Sequence, residues 1–293
     1  DMANSVALAG KFLPVIDEVY RAESVTEGLD ASTQADFTNA NEIKVLKVAT
    51  TGLGAYSRTS GYPKGDIIVT WETMKLTQER GKEISIDRMD DEEMLGVVFG
   101  TVTGSFLREW VIPELDAYRF SKYASTAGIT TATAADLTKD TILGAIDEAA
   151  AVMDENEVPQ EGRVLFVNSG LKPALSQAFE RQWGSEDEVS DVIRGYNNMK
   201  VVYVPKNRFY TKIDIQDGSS SWGYSKNAQG KGINFMMVYP PALVQAKKFM
   251  LPKVFRPEEN QKMDAWLFQF RLYHDAFVYE NKAKGVYVHP MTE

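Results

Sequence analysis

Residues 43–87 alternate apolar and polar side chains with a period of two, break midway into a glycine- and proline-rich loop, and run directly into a helical pattern that begins near Asp90. Ile43, Val45, Val69 and Trp71 mark one side of this pattern and Leu76, Ile84 and Ile86 the other. That period belongs to strands, not helices. Between them lie Gly52-Leu53-Gly54 and the stretch from Ser60 to Asp66 with Gly61, Pro63 and Gly65, residue types that supply the backbone angles of a loop tip. The spacing predicts a long two-stranded arm. A two-stranded ribbon is marginal in water, so it must pack on something else, and a neighbouring copy is the obvious candidate.

The helix is as legible as the arm. Asp90 stands three residues before Glu93 in a capping-box arrangement, and Asp91 and Glu92 add negative charge where the helix dipole favours it. Leu95, Val98, Val102, Phe106 and Trp110 recur at three- and four-residue spacing, and Leu115, Tyr118 and Tyr123 continue the stripe beyond Pro113. A helix from Asp91 to Ala124 would be on the order of 50 Å long at ~1.5 Å per residue, with a kink expected at Pro113.

Four stretches carry a resemblance: 52–58 (GLGAYSR), Trp71-Glu72-Thr73 with 76–81 (LTQERG), 86–93 (IDRMDDEE) and 112–119 (IPELDAYR). In this order and spacing they resemble the major capsid proteins of tailed bacteriophages, over roughly Val6 to Tyr123. The rest of the chain fits by element order. The resemblance implies an α+β Hong Kong 97-type fold with five parts. These are an N-terminal arm (1–42), an extended loop lying across the adjacent subunit (43–89), the spine helix and linker of a peripheral domain (90–137), an α/β axial domain (138–250), and peripheral strands with a C-terminal return (251–293).

Composition is that of an ordinary globular protein, 44% apolar and 25% charged over 293 residues. No run of eighteen apolar residues is present, so no membrane-spanning helix is expected, and no secretory segment opens the chain. Met2-Ala3-Asn4 reads as a natural start with Asp1 ahead of it. Cysteine is absent, which excludes disulfides and thiolate metal sites and suits a reducing cytoplasm. A net charge of -9 argues against general binding of nucleic acid through its phosphates. The basic pair Lys247-Lys248 reads as solvated or partner-facing surface.

Before the arm, Val6 to Arg21 carries the apolar residues of a short amphipathic helix, and Ala22 to Asn41 is polar and reads as irregular. After the spine, 127–137 reads as a linker or small ribbon. Strands at 164–167, 201–205 and 233–238 alternate with helices after Thr138, at 171–179 and at about 240–247, an α/β pattern. From 264 to 273, Trp266, Phe268, Phe270 and Leu272 face one way and Leu267, Gln269, Arg271 and Tyr273 the other, with turns expected at His274-Asp275 and Lys284-Gly285 and further strands at 277–279 and 286–288. The aromatic stripe reads as core packing against the long helix.

Motifs of catalysis are not present: no phosphate loop, no nucleophile elbow, no zinc helix. Gly52 and Gly54 lack the third glycine and the βαβ setting of a dinucleotide site. His274 and His289 are the two imidazoles. The acidic group Asp87, Asp90, Asp91, Glu92 and Glu93 has the residue types to bind a divalent cation, but helix capping and dipole compensation explain most of it without an ion. No catalytic, cofactor or metal residue is assigned, and the chain is expected not to be an enzyme.

The sequence thus points to a self-assembling structural protein. The expected assembly residues on the arm are Arg58, Tyr62, Pro63, Lys64, Lys75, Glu79, Arg80, Lys82 and Glu83; the expected hinges are Gly52, Gly54 and Gly81; the spine residues are Asp90, Glu93, Trp110 and Pro113. The resemblance implies hexamers and pentamers closing an icosahedral shell around double-stranded DNA held without sequence-specific binding, in a virion assembled in the bacterial cytoplasm. Implied partners are a portal, a cementing protein and scaffolding that is either separate or cleaved before Asp1. Some members of the family lock their shells by joining a loop lysine to a neighbouring asparagine. Lys64 and Asn260 have the residue types but no motif specific to that reaction, so a noncovalent shell is expected. Rival readings are an encapsulin-like cargo compartment and, more distantly, a soluble α/β enzyme or solute-binding protein.

Overall fold

The computed structural model describes residues 24–32, 42–52, 56, 58–59, 62, 67–89, 98–178 and 195–293. After a 3-10 turn at Glu27–Ser32, β1 (Glu42–Thr50) pairs antiparallel along its whole length with β2 (Ile67–Lys75), and β3 (Gln78–Asp87) follows two residues later. The spine comprises α1 (Val98–Phe106), a π-helical turn (Leu107–Val111) and α2 (Ile112–Ser125). Next come β4 (Thr130–Thr131), α3 (Ile142–Glu155), β5 (Val164–Asn168), α4 (Lys172–Ala178), β6 (Gly195–Tyr196) and β7 (Met199–Val204). A small hairpin of β8 (Ile213–Ile215) and β9 (Tyr224–Lys226) precedes β10 (Ile233–Val238), β11 (Leu243–Phe255), β12 (Ala265–Val278) and β13 (Val286–Pro290).

Two larger sheets share the spine. One has six strands in the order β4-β13-β10-β5-β7-β6, and the other three in the order β11-β12-β3. Because side chains alternate along a strand, the central strands of the six-stranded sheet bury both faces. Leu165, Val167, Phe235, Met237 and Tyr287 meet Ile142, Ile146, Ala149 and Met153 of α3. Phe166, Met236, Val238, Val286 and Val288 meet Phe120 and Tyr123 near the end of α2. The earlier part of the spine serves the other sheet: Leu107, Val111, Ile112 and Leu115 pack on Ile86, Val254, Phe268, Phe270 and Leu272. The aromatic stripe of β12 is core packing against the long helix, as its alternation indicated.

Several expectations need correction. β3 is not part of the arm; it pairs with β12 from Ala265↔Asp87 to His274↔Gln78, so the ribbon consists of β1 and β2. Period-two alternation marks a strand without naming its partner. The segment 240–247 is not a helix but a 3-10 turn at Pro240–Ala242 leading into β11, which pairs antiparallel with β12. A short run buried on every side has no period to separate the two forms. β12 passes straight through His274 and Asp275 without a turn. β13 departs from its expected grouping within 251–293: it pairs antiparallel with β10 and parallel with β4, inside the six-stranded sheet.

The spine keeps its direction but changes phase. Pro113 has no N–H, and its ring would meet the carbonyl four residues earlier, so an ordinary α-turn is unavailable just before it. The chain inserts one π-turn instead, with the Ile112 N–H donating to the Leu107 carbonyl. The extra residue rotates the buried stripe from the expected 106/110 pair to Leu107 and Val111, and Trp110 turns outward. The helix expected over Val6 to Arg21 and the capping pair Asp90 and Glu93 lie outside the described residues, as do Asp91 and Glu92.

Candidate assembly surface

On β2, Ile67, Ile68, Val69 and Trp71 are between 53% and 70% exposed. Successive strand residues point to opposite faces, so apolar groups stand in solvent on both sides of the ribbon. Beyond it, Tyr62 packs its ring on Tyr56 at 4.9 Å, and Arg58 lies in an exposed turn. Gly52 is also exposed, and no atom lies within 4 Å of where its Cβ would be. Pro63, Lys64 and Gly54 are outside the described residues.

The ribbon is anchored at its base. Met74 and Leu76 are buried against Val244 and Ala246, and the Tyr273 hydroxyl donates to the Leu76 carbonyl at 3.0 Å. Thr77, between β2 and β3, donates its N–H and hydroxyl to Asp275 Oδ2 at 2.9 and 2.8 Å, while the Tyr118 hydroxyl of the spine donates to Oδ1 at 2.7 Å. Burial, with the Asp275 carboxylate next to it, raises the Tyr118 phenol well above its ordinary range, so it remains a donor. The return from the arm is therefore a fixed point.

Four residues assigned to the arm's exposed surface serve this anchored body instead. Arg80 grips Glu114 of the spine through Nε at 2.6 Å and Nη2 at 3.2 Å, and its Nη1 donates to the Gln216 carbonyl beside β8 at 2.8 Å. One half-buried guanidinium thus joins the three-stranded sheet, the spine and the β8–β9 hairpin. Lys82 Nζ sits 4.9 Å from the Trp222 ring centre and 5.4 Å from that of Phe106. Glu79 pairs with Arg271, and Glu83 accepts from Gln269 at 2.7 Å, both across the β3–β12 ladder. Gly81 is no hinge: it sits mid-strand opposite Arg271, where an added Cβ would lie 3.0 Å from the Phe270 carbonyl oxygen. Lys75 remains on the ribbon and exposed.

Sequence reasoning overlooked the buried polar groups that hold these parts together. Asp116 of the spine is fully buried and accepts from the hydroxyls of Ser24 (2.8 Å) and Thr26 (2.6 Å), the Val25 N–H (3.2 Å) and Arg208 (3.3 Å). Arg119, one helical turn on, donates to the Thr26 hydroxyl at 2.7 Å. Residues 24–26 and the 206–208 turn are thereby tied to the helix. The available signal was an acid and a base three residues apart in an otherwise apolar stretch, positions that only a buried network would tolerate.

Trp110 of the π-turn lines an open notch with Phe106, Lys82, Asp217, Trp222 and Leu272, and His274 reaches its wall. Gly223 carries φ +79°, and a Cβ there would stand 3.2 Å from the Trp110 ring, so only glycine lets the hairpin approach this closely. Burial, reinforced by the charges of Arg119, Arg80 and Lys247, pushes the His274 imidazole down to about 3, and it is neutral. Its ring meets Tyr118 edge to face at 5.3 Å. His289 is buried beside Asn234, whose amide nitrogen lies 3.1 Å from Nδ1. Among the described residues no three His, Cys, Asp or Glu side chains gather to hold a metal, and no helix is long and apolar enough to cross a membrane. Asn260 is engaged locally, its amide donating to the Ala265 carbonyl at 3.0 Å and its oxygen accepting from Lys262 N–H at 3.1 Å.

No family model matches the chain, and no curated protein matches it by sequence. Its fold does match solved structures. A chain from Gordonia phage Cozz is 15% identical with a TM-score of 0.61, the match covering 92% of this chain and 87% of that one. The capsid of the cyanophage P-SCSP1u matches with 12% identity and a TM-score of 0.61, over 88% of this chain and 86% of its own. The capsid of a native GTA particle gives 13% identity, a TM-score of 0.54 and coverage of 92% and 91%. The α+β fold is that of phage capsid structures, as the sequence resemblance implied.

Proposed function

We propose that this chain is a major capsid protein that assembles into the hexamers and pentamers of an icosahedral phage head around double-stranded DNA. The observation that carries the reading is the ribbon: among the described residues its two strands pair with nothing but each other, it is anchored at the base, and beyond the base Ile67, Ile68, Val69 and Trp71 of β2 stand exposed on both faces. A monomeric enzyme gains nothing from such an element. A shell subunit gains an arm that buries apolar surface on its neighbour, adding stability that one chain lacks. The fold's likeness to capsid chains over about nine-tenths of this chain supports the same reading.

In this proposal the ribbon is the extended loop, the three-stranded sheet with the first part of the spine is the peripheral domain, and the six-stranded sheet with α3 is the axial domain. Scaffolding, portal and cementing proteins would be its partners, and the virion its location. The engaged Asn260 amide supports a noncovalent shell. Since Thr77 and Gly81 are held in place, any swing of the arm belongs outward of Met74, where Gly52 stands free of side-chain contact.

Electron microscopy of the purified protein tests the reading. Closed shells of uniform size that protect DNA from nuclease are expected from virions. Shells holding a cargo enzyme would favour the encapsulin-like alternative, and discrete monomers at assembly concentrations would overturn both. Denaturing electrophoresis of mature particles should give a single band near 32.7 kDa, whereas persistent ladders would show covalent locking.

A further inference from the structure

In the notch beside the spine the charges answer one another and the walls do not. Arg80 and Glu114 close on each other, Lys82 lies over the Trp222 and Phe106 rings, and Asp217 accepts from the Ser219 N–H at 3.0 Å and hydroxyl at 2.7 Å. With each lining charge engaged inside the fold, a charged visitor finds no free partner. What remains is a space of about 80 Å³ walled by Trp110, Trp222, Phe270 and Leu272, with His274 on its border.

Two glycines shape the mouth. Gly218 has φ +82° and Gly223 φ +79°; a Cβ would stand 2.8 Å from the Trp222 ring at the first and 3.2 Å from the Trp110 ring at the second, so each indole lies directly on the backbone of the hairpin. His274 is 2% exposed, and its Nδ1 has no hydrogen-bond partner in the fold. A buried polar atom is seldom left in that condition. Because burial and the nearby charges of Arg119, Arg80 and Lys247 keep this imidazole neutral, one of its ring nitrogens is an acceptor.

Size selects further. A water needs about 10–15 Å³ of such space, and an engineered apolar cavity of about 150 Å³ holds benzene. At about 80 Å³ and open on one side, the notch admits part of a single ring or fused pair, with one edge left in solvent.

We propose that the notch is a binding site for a small neutral aromatic molecule carrying one N–H or O–H, its ring held against Trp110 and Trp222 and its donor directed to His274 Nδ1. Bound there, the molecule bridges the spine and the β8–β9 hairpin and stabilises the subunit increasingly with its concentration. The site lies within one subunit, so it stands or falls separately from the capsid reading.

Indole and indene share one shape, and only indole has an N–H. Calorimetric titration of unassembled subunits should give one saturable indole site per chain, with a Kd below about 1 mM, and bind indene about fivefold more weakly. Trp222→Ser, at a ring that is 57% exposed, should melt as cooperatively as the unsubstituted subunit and weaken both ligands by about tenfold or more. His274→Phe should bring indole down to the affinity of indene and leave indene unchanged. Absence of saturable indole binding overturns the proposal, and so does equal affinity for the two ligands or unchanged binding in Trp222→Ser. Should His274→Phe fail to fold, the comparison of indole with indene on the unsubstituted subunit still decides.

Discussion

β2 and β3 are neighbours in sequence, similar in length and alike in carrying isoleucines among polar residues, yet they have opposite fates. β3 lies on β12 with Ile86 buried under the spine, while β2 holds Ile67, Ile68, Val69 and Trp71 in water. The difference is one of partner, not of pattern. β3 joins a sheet whose Ile86-bearing face is roofed by the spine, whereas β2, among the described residues, pairs only with β1. Apolar side chains on a strand therefore report that something covers them, without saying whether the cover is intrachain.

If that comparison holds, damage to the body should unfold the subunit and damage to the ribbon should spare it. Asp116→Ala removes the buried acceptor shared by Arg208, Ser24, Val25 and Thr26, and a loss of about 3–5 kcal/mol is expected in urea denaturation of unassembled subunits. A loss below about 1 kcal/mol would show that the buried network is dispensable.

The next effect depends on pH. The His274 imidazole titrates at about 3 when folded, against an ordinary 6.5, so the unfolded chain takes up the additional proton between those values. Its contribution to stability is complete above pH 6.5 and is lost as pH falls toward 3, with a slope of up to about 1.4 kcal/mol per pH unit. His274→Phe should flatten that part of the stability profile; an identical slope in the variant would assign the acid sensitivity to other groups.

Arg80→Ala opens the junction of sheet, spine and β8–β9 hairpin and leaves Glu114 half-buried without its partner. A cost of about 1–3 kcal/mol to the subunit is expected. Reversal to Glu should then harm folding before it harms the salt dependence of assembly, the opposite order from that expected of an exposed arm residue.

The smallest effect on the subunit, and the sharpest contrast, belongs to the ribbon. Deleting Ser60 to Asp66, or replacing Ile67 and Val69 by Ser, should change subunit stability by no more than about 0.5 kcal/mol while abolishing stable shells. Normal particles from either variant would show that the ribbon has no role in assembly.

Local periodicity alone determined a good deal of this molecule. The strands of the ribbon, the spine helix, the alternation of Phe268, Phe270 and Leu272, and the helix and strands after residue 138 follow from side-chain spacing and breaker residues, which act within a few positions along the chain. Pairing did not follow, because a strand's edge hydrogen bonds are generic: β3 to β12, β11 to β12 and β13 to β10 were decided by which apolar faces the spine could cover together. Arg80 and Gly81 show the same limit on the scale of single residues. In the sequence they read as a charged arm and a hinge; in the fold the guanidinium reaches Glu114 and Gln216, and the glycine lies beneath a carbonyl of the neighbouring strand. The phase of the spine was a matter of one residue. Pro113 is plain in the sequence, but a proline's missing hydrogen bond is compatible with a bent helix or a π-turn, and the fold, in which the two halves of the helix pack on different sheets, has the π-turn, with Trp110 outward.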